Sequence, residues 1–491
     1  MSTAIAQLLT AEEGKTLEFK CDLPSSRNIL KTLVAFANSA GGQLLIGIDD
    51  NDQVIGVESP LDDEERICNL IADSISPHLV PNVEIVTHEG KNILLIETFP
   101  SSSRPHHLKS QGREAGVYVR LGSSNRRAGP ELINELKRST TGETFDEQTM
   151  PTLSIDDLDL DIAQRLFGSE RPLTEETLQT LRLLAQDQGR LVPTKGAVLL
   201  FGKNRNRHFP DAWVQCGRFI GTDKARIFDH VEIHANLPSC VEEIMSFLKK
   251  HAMRSADFSD IQRKDVWSIP LLILREGIIN ALVHADYSHQ GAPIRIAFFD
   301  DRIEIENPGT LVPGMTVDAM KRGVSNLRNR VIARVFRELK LIEQWGSGVS
   351  RIFREAKEQG LAEPAIEEIG MHLRLTVFLT NRISTGQWSV ETKIKPYEKH
   401  ESGLESRLEL RLESGLAARI ILQIQDRSLG KAEIANLLGH KSVSGALHRQ
   451  IRNLLAQHII EMTLPDKPNS RLQKYRLSAQ GHALITELLR M

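Results

Sequence analysis

Three carboxylates near the start of the chain have types and spacing suited to a divalent cation. Glu13 and Glu18 lie in Glu13-Gly14-Lys15-Thr16-Leu17-Glu18-Phe19-Lys20, and Asp49 closes the run Gly41-Gly42-Gln43-Leu44-Leu45-Ile46-Gly47-Ile48. Two acids on one extended segment and a third at a strand end could gather around Mg²⁺ or Mn²⁺. These hard cations prefer carboxylate oxygen and can activate water against a phosphodiester. The alternative is a solvated strand edge followed by an ordinary Asp-Asn-Asp turn. A second constellation, Arg275-Glu276-Gly277-Ile278-Ile279-Asn280-Ala281-Leu282-Val283-His284-Ala285-Asp286-Tyr287, puts Glu276 and Asn280 four residues apart. On a helix they share one face. There a carboxylate can orient or deprotonate water, and an amide oxygen can bind a Mg²⁺ that also holds nucleotide phosphates. A hydrogen-bonded polar stripe is the plainer reading of the same spacing.

The elements around the first acids are legible. A helix is expected from about Arg27 to Ser39, with Ile29, Leu30, Leu33, Val34, Phe36 and Ala37 on its apolar face and Gly41-Gly42 as its stop. Further strands are expected at Ile93-Leu94-Leu95-Ile96-Glu97 and along Val117-Tyr118-Val119-Arg120-Leu121. An acid, four residues, Glu-Phe-Lys, then Ala-Asn-Ser-x-Gly-Gly and Gly-hydrophobic-Asp is a pattern that resembles the AlbA-like domain shared by bacterial regulators and Schlafen proteins. The resemblance runs to about residue 138 and implies an α+β nucleic-acid-binding domain over residues 1–140. It gives Glu13, Glu18 and Asp49 two readings: a metal-dependent nuclease trio cutting RNA or DNA, as reported for Schlafen nucleases, or part of a domain that only binds. Arg104 and Lys109, then Arg120, Arg126 and Arg127, flank or lie on the Val117 strand and read either as a grip on a nucleic-acid backbone or as ordinary solvated loops. His106 and His107 are adjacent, so on a strand they diverge and do not share an ion.

The context of Glu276 and Asn280 extends further along the chain. Strands are expected at Ile294–Phe298 and Arg302–Glu306, followed by Asn307-Pro308-Gly309, and Leu341-Ile342-Glu343-Gln344-Trp345-Gly346-Ser347-Gly348-Val349 opens another helix. Glycines ahead of a helix let backbone amides approach phosphate. Together with Arg328-Asn329-Arg330-Val331-Ile332-Ala333, this resembles the divergent GHKL-type ATPase fold, an α/β sandwich. The resemblance implies ATP with Mg²⁺ as cofactors, Glu276 as the water-activating carboxylate, Asn280 as the Mg²⁺ ligand, and Gly309, Gly346 and Gly348 around the nucleotide. A weak ATPase activity is the enzymatic expectation here. The usual Asp-x-Gly-x-Gly adenine motif is reduced to Asn307-Pro308-Gly309, and Ala285 replaces the family's common arginine. The expected domain spans 151–381, with its core at 265–381, after a boundary near Thr140–Leu153. Ser154 and Asp157 read there as a helix start.

A linker is expected over 382–414, in which Leu404, Leu408, Leu412 and Leu416 recur at four-residue spacing. A connecting helix is the preferred reading and a homo-oligomer contact the other. Residues 415–491 read as three helices and a hairpin, the order of a winged helix-turn-helix. Ser442, Ser444, His448, Arg449 and Arg452 would face the major groove, and Lys467, Arg471, Lys474 and Arg476 would lie on the wing. From Gly415 onward there are eleven Lys and Arg against five Asp and Glu, so the segment carries +6 and the rest of the chain −9. That concentration of positive charge favours DNA as partner, with RNA as another candidate, over a protein-binding winged helix with an ordinary solvated face.

Composition removes several classes. With 491 residues, 40% hydrophobic and 25% charged, the chain is expected to form two to four ordered domains. No apolar run reaches the roughly 18 residues of a spanning helix, and the first residues lack a signal-peptide pattern, so a cytoplasmic protein without membrane contact is expected. Cys21, Cys68, Cys216 and Cys240 have no paired spacing and read as reduced thiols. Gly14-Lys15-Thr16 resembles the end of a P-loop, but Leu9 stands where the first glycine is required, so no motor is expected. The combined expectation is a multidomain α/β and α+β protein that binds ATP and DNA as a transcriptional regulator. The rival is a metal-dependent endoribonuclease.

Overall fold

The computed structural model describes residues 2–23, 26–49, 51–169, 171–252, 254–257, 264–342, 348–380, 408, 411–412, 414–425, 429–438, 445–463 and 474–490. The chain forms two compact units, Met1–Gln387 and Trp388–Met491.

The first unit begins with a four-stranded sheet in the order Leu17–Lys20, Gly42–Ile46, Lys91–Thr98, Asn82–His88. Its first pair is parallel and the others antiparallel. A parallel pair needs a crossover, and the helix Ser26–Asn38 supplies it. Ile29, Leu33, Val34, Phe36 and Ala37 are fully buried, as the apolar periodicity requires. Gly42 is fixed by this packing, because a β-carbon there would come within 2.7 Å of the Phe36 ring. The hairpin Tyr118–Leu121/Ser124–Arg127 follows, then the helix Pro130–Thr141, which ends on Gly142 in the left-handed region at φ 74°.

A second, larger core runs from Leu158 to Val377 and is built on a six-stranded sheet. Its order is Ile227–Ile233, Val214–Phe219, Ile294–Phe298, Arg302–Pro308, His372–Phe378, Ala365–Ile369. Val214–Phe219 runs parallel to Ile294–Phe298 in register Val214–Ile294, so residues well before 265 belong to the same sheet. The buried helix Lys195–Phe201 packs into the same core. Ser154 and Asp157 do form a capping box, but it opens only a three-residue 3₁₀ turn, Ile155–Asp157.

Within the second unit, helices Gly415–Ile424, Lys431–Leu437 and Gly445–Ala456 precede the antiparallel strands Ile460–Met462 and Tyr475–Leu477. A further helix, Ala479–Arg490, closes the described part. Ile420, Ile421, Ile434, Ala435, Leu447, Ile451 and Leu454 form its core with Leu408. Leu404 lies outside the described residues. Among the described residues no helix is long and apolar enough to cross a membrane, and the four cysteines are free thiols.

Candidate functional site

The helix Leu271–His284 lies across the six-stranded sheet and carries the strongest candidate site. Gly277 lets it approach closely, since a β-carbon there would meet Leu375 at 2.6 Å and Ile305 at 2.9 Å. Ile273, Leu274, Ile278 and Leu282 turn into the core. Asn329, itself buried, holds the far end of the helix by donating to the carbonyls of Val283 at 2.8 Å and Ala285 at 2.7 Å.

Glu276 and Asn280 emerge together into an open cleft. The Asn280 amide donates to Glu276 Oε1 at 3.3 Å, so the helical spacing does place the two side chains side by side. Ile305, Asn307, Leu373 and Leu375 line one side of the cleft and Thr310, Leu311, Val312 and Met315 another. The helix Gly348–Glu358 begins at its mouth, with Gly348 packed onto both Glu276 and Asn280. Arg351, one turn further on, pairs with the Glu276 carboxylate. His284 also lines the cleft, and burial and the Arg328 charge push its pKa down to about 4, so it is neutral at ordinary pH.

Gly309 answers a different need from the one expected. Its φ is +99°, and a β-carbon there would overlap the Arg328 guanidinium and the Asp286 side chain. It therefore makes room for a buried ion cluster, in which Arg328 lies 3.2 Å from Glu135 and 3.8 Å from Asp286. Gly346 lies outside the described residues.

The segment after the Arg302–Pro308 strand touches two places at once. Thr310, Leu311, Val312 and Met315 line the cleft, while the Gly314 amide donates to the Ser39 carbonyl of the first domain at 2.9 Å. Glu368 accepts from the Leu311 amide at 2.8 Å and also pairs with Lys15.

The three acids of the first domain are individually engaged. Glu13 accepts from the Phe19 amide at 2.7 Å. Glu18, 7% exposed, pairs with both Arg120 and Lys20. Asp49 accepts from the amides of Asn51 at 2.9 Å and Gln53 at 2.8 Å, and the Gln53 bond foremost holds its pKa below the usual carboxylate range. Among the described residues no three His, Cys, Asp or Glu side chains are placed to hold a metal ion. One oxygen of Glu13, one of Asp49 and both of Glu18 are thus engaged within the protein.

Arg120 corrects the expectation most sharply. It is 1% exposed and donates to the carbonyls of Gly14 at 3.0 Å and Leu17 at 3.3 Å and to Asn125 at 3.0 Å, besides its ion pair with Glu18. A fully enclosed guanidinium cannot reach a nucleic-acid backbone. Arg126 and Arg127 are exposed on the hairpin, and Lys109 is exposed with its ammonium on the Ala72 carbonyl at 3.0 Å. Arg104 is half-buried.

In the second unit Arg452 is exposed on the helix Gly445–Ala456. His448 and Arg449 belong to the same helix, but their side chains lie outside the described residues, as do Ser442, Ser444, Lys467 and Arg471 altogether. Lys474 lies 3.6 Å from Glu433 and Arg476 2.7 Å from Glu461, exposed pairs of small energetic weight that leave both cations accessible.

Residues 13–129 match the family model described as "Schlafen, AlbA_2". Residues 291–377 match "Putative ATP-dependent DNA helicase recG C-terminal". Residues 417–478 match "Filamentation induced by cAMP protein Fic-like, C-terminal domain". The chain thus carries a Schlafen AlbA_2 domain followed by an ATPase-like domain. No curated protein matches it. Among solved structures it is similar to the DIP2311 protein from Corynebacterium diphtheriae at 18% identity and TM-score 0.42, covering 99% of this chain and 98% of that one. It is also similar to the N-terminal domain of a RecG-related protein from Nitrosomonas europaea at 24% identity and TM-score 0.21, covering 26% of this chain and 92% of that one.

Proposed function

We propose that this chain is a DNA-binding transcriptional regulator that takes ATP with Mg²⁺ in the Glu276/Asn280 cleft, and that the bound nucleotide tunes its hold on nucleic acid. One observation carries the reading: the Thr310–Met315 segment lines the cleft and is also hydrogen-bonded, through Gly314, to the AlbA_2 domain. Anything that fills the cleft presses on a segment tied to a nucleic-acid-associated domain.

The residues present fit a nucleotide. Apolar side chains such as Ile305, Leu373 and Leu375 offer a slot for a flat base, while the polar groups cluster at Glu276, Asn280 and Gly348. Clefts of this make-up, mostly apolar with a few convergent polar groups, are the common form of small-molecule sites. Asn280 would hold the Mg²⁺, and Glu276 would orient water. The metal-bound nucleotide supplies a polarised terminal phosphate. Glu276 has one oxygen paired with Arg351, which restrains the carboxylate and is consistent with slow turnover. In the second unit, Arg452, Lys474 and Arg476 support a winged-helix reading with DNA as the ligand.

The test is duplex affinity of the full chain, measured by fluorescence anisotropy with and without ATP and Mg²⁺. At least a threefold change is expected, abolished in Asn280→Ala. Equal affinities in the wild type remove the switch. Tighter binding of structured RNA than of any duplex removes the DNA assignment.

A further inference from the structure

A second cleft, which shares Arg328 with the nucleotide cleft, is lined by four arginines, Arg104, Arg138, Arg328 and Arg330, against three carboxylates, Glu135, Glu143 and Asp286. Two come from the AlbA_2 part and its following helix, and two from the ATPase-like part. Their acidic partners are unevenly shared. Arg328 takes Glu135 and Asp286, and Arg330 reaches Glu147 at 3.7 Å. Among the described residues neither Arg104 nor Arg138 has a carboxylate within ion-pair distance. Arg138 lies over the Phe145 ring at 5.3 Å, and the Lys195 ammonium approaches the same ring at 4.2 Å, adding further positive charge.

Donor accounting points the same way. Arg104 Nε, Arg328 Nε and Arg328 Nη1 are buried with no acceptor among the described residues. Arg328 is only 7% exposed. Buried donors without partners are rare in proteins and call for an acceptor. Arginine presents its N–H groups in a fork that matches the geometry of phosphate.

We propose that this cleft binds a phosphate group, whose oxygens take N–H donors from Arg104 and Arg138 beside the positive charge of Arg328. The phosphate belongs either to a small phosphoester or to a nucleic-acid strand. In both cases it joins residues of the two domains.

The experiment uses the full chain with three probes: inorganic phosphate, and a short single-stranded oligonucleotide with and without a 5′-phosphate. Binding is read by calorimetry and by the shift in thermal unfolding. At least one phosphate-bearing probe is expected to bind, and Arg104→Gln and Arg138→Gln are each expected to weaken it by about tenfold or more, the scale of one charge-assisted hydrogen bond. Arg328 is left intact, because removing it would strand Glu135 and Asp286. Preference for inorganic phosphate identifies a small-molecule source, and preference for the 5′-phosphorylated strand identifies nucleic acid. No binding of any probe, or unchanged affinity in both arginine variants, overturns the proposal.

Discussion

Gly348 stands directly on the Glu276 carboxylate: a single β-carbon at 348 would overlap Glu276 Oε1 and come within 3.4 Å of Asn280 Nδ2. The contact joins the start of one helix to the middle of another. Glu276 is then held on its other oxygen by Arg351, from the same helix as Gly348. The pair of helices is therefore latched at the residue whose carboxylate would face a nucleotide. A carboxylate at a helix start is also favourably placed with respect to the helix dipole.

Replacing Gly348 by alanine should break this latch. The added methyl meets the tip of the flexible Glu276 side chain, which swings aside and leaves its pairing with Arg351. The expected outcome for Gly348→Ala is a small change in stability together with at least tenfold weaker ATP binding, followed by chemical denaturation and calorimetry. Wild-type ATP affinity in this variant would show that Gly348 does not border the nucleotide.

Spacing alone exposes the Glu276/Asn280 pair, because four residues on a helix always share a face. Nothing local announces Arg351 or Arg328: each acquires its role by meeting an acid far away in the chain. The AlbA_2 strands and helix are legible for the same reason as the pair, since Phe36 and its apolar neighbours repeat at helical period before Gly41-Gly42. Arg120 misleads because a basic residue between exposed arginines on a hairpin reads as surface. Only the packing of that hairpin against Gly14 and Leu17 encloses it. The strand Val214–Phe219 does not declare itself as the sheet partner of Ile294–Phe298, because a parallel pairing across a long crossover leaves no turn signal between the strands.

Glu18 offers a clean distinction between folding and cleavage. Its carboxylate balances the enclosed Arg120, so Glu18→Gln leaves a buried guanidinium without its counter-charge. Breaking one half of a buried pair costs roughly 3–5 kcal/mol, and Gln retains part of the hydrogen bonding, so a loss of about 2–4 kcal/mol is expected. Equilibrium urea unfolding would measure it. Mg²⁺ or Mn²⁺ should not raise the unfolding midpoint of the wild type more than that of the variant. A metal-specific stabilisation present in the wild type and lost in Glu18→Gln, with otherwise equal stability, would restore the nuclease trio.

The pH dependence of stability has a contribution from the cleft itself. His284 titrates near 6.5 when unfolded, but in the fold burial and Arg328 bring it down to about 4. Between those values the unfolded chain binds a proton that the folded chain refuses, so stability rises with pH across the interval. The contribution is complete above pH 6.5 and lost as pH falls through about 4. Its ceiling is about 3 kcal/mol, because each tenfold change in proton affinity is worth roughly 1.4 kcal/mol. Asp146 works in the opposite direction: burial lifts it to about 6, so its contribution is complete below its unfolded value of 3.8 and disappears as pH rises through about 6. The two slopes oppose each other between about pH 4 and 6 and partly cancel in the wild type. His284→Phe removes one of them. The wild type should therefore gain stability relative to the variant by about 1–3 kcal/mol between pH 4 and 6.5. Urea unfolding at a series of pH values would show this, and a pH-independent difference between the two proteins would mean that His284 does not remain neutral in the folded cleft.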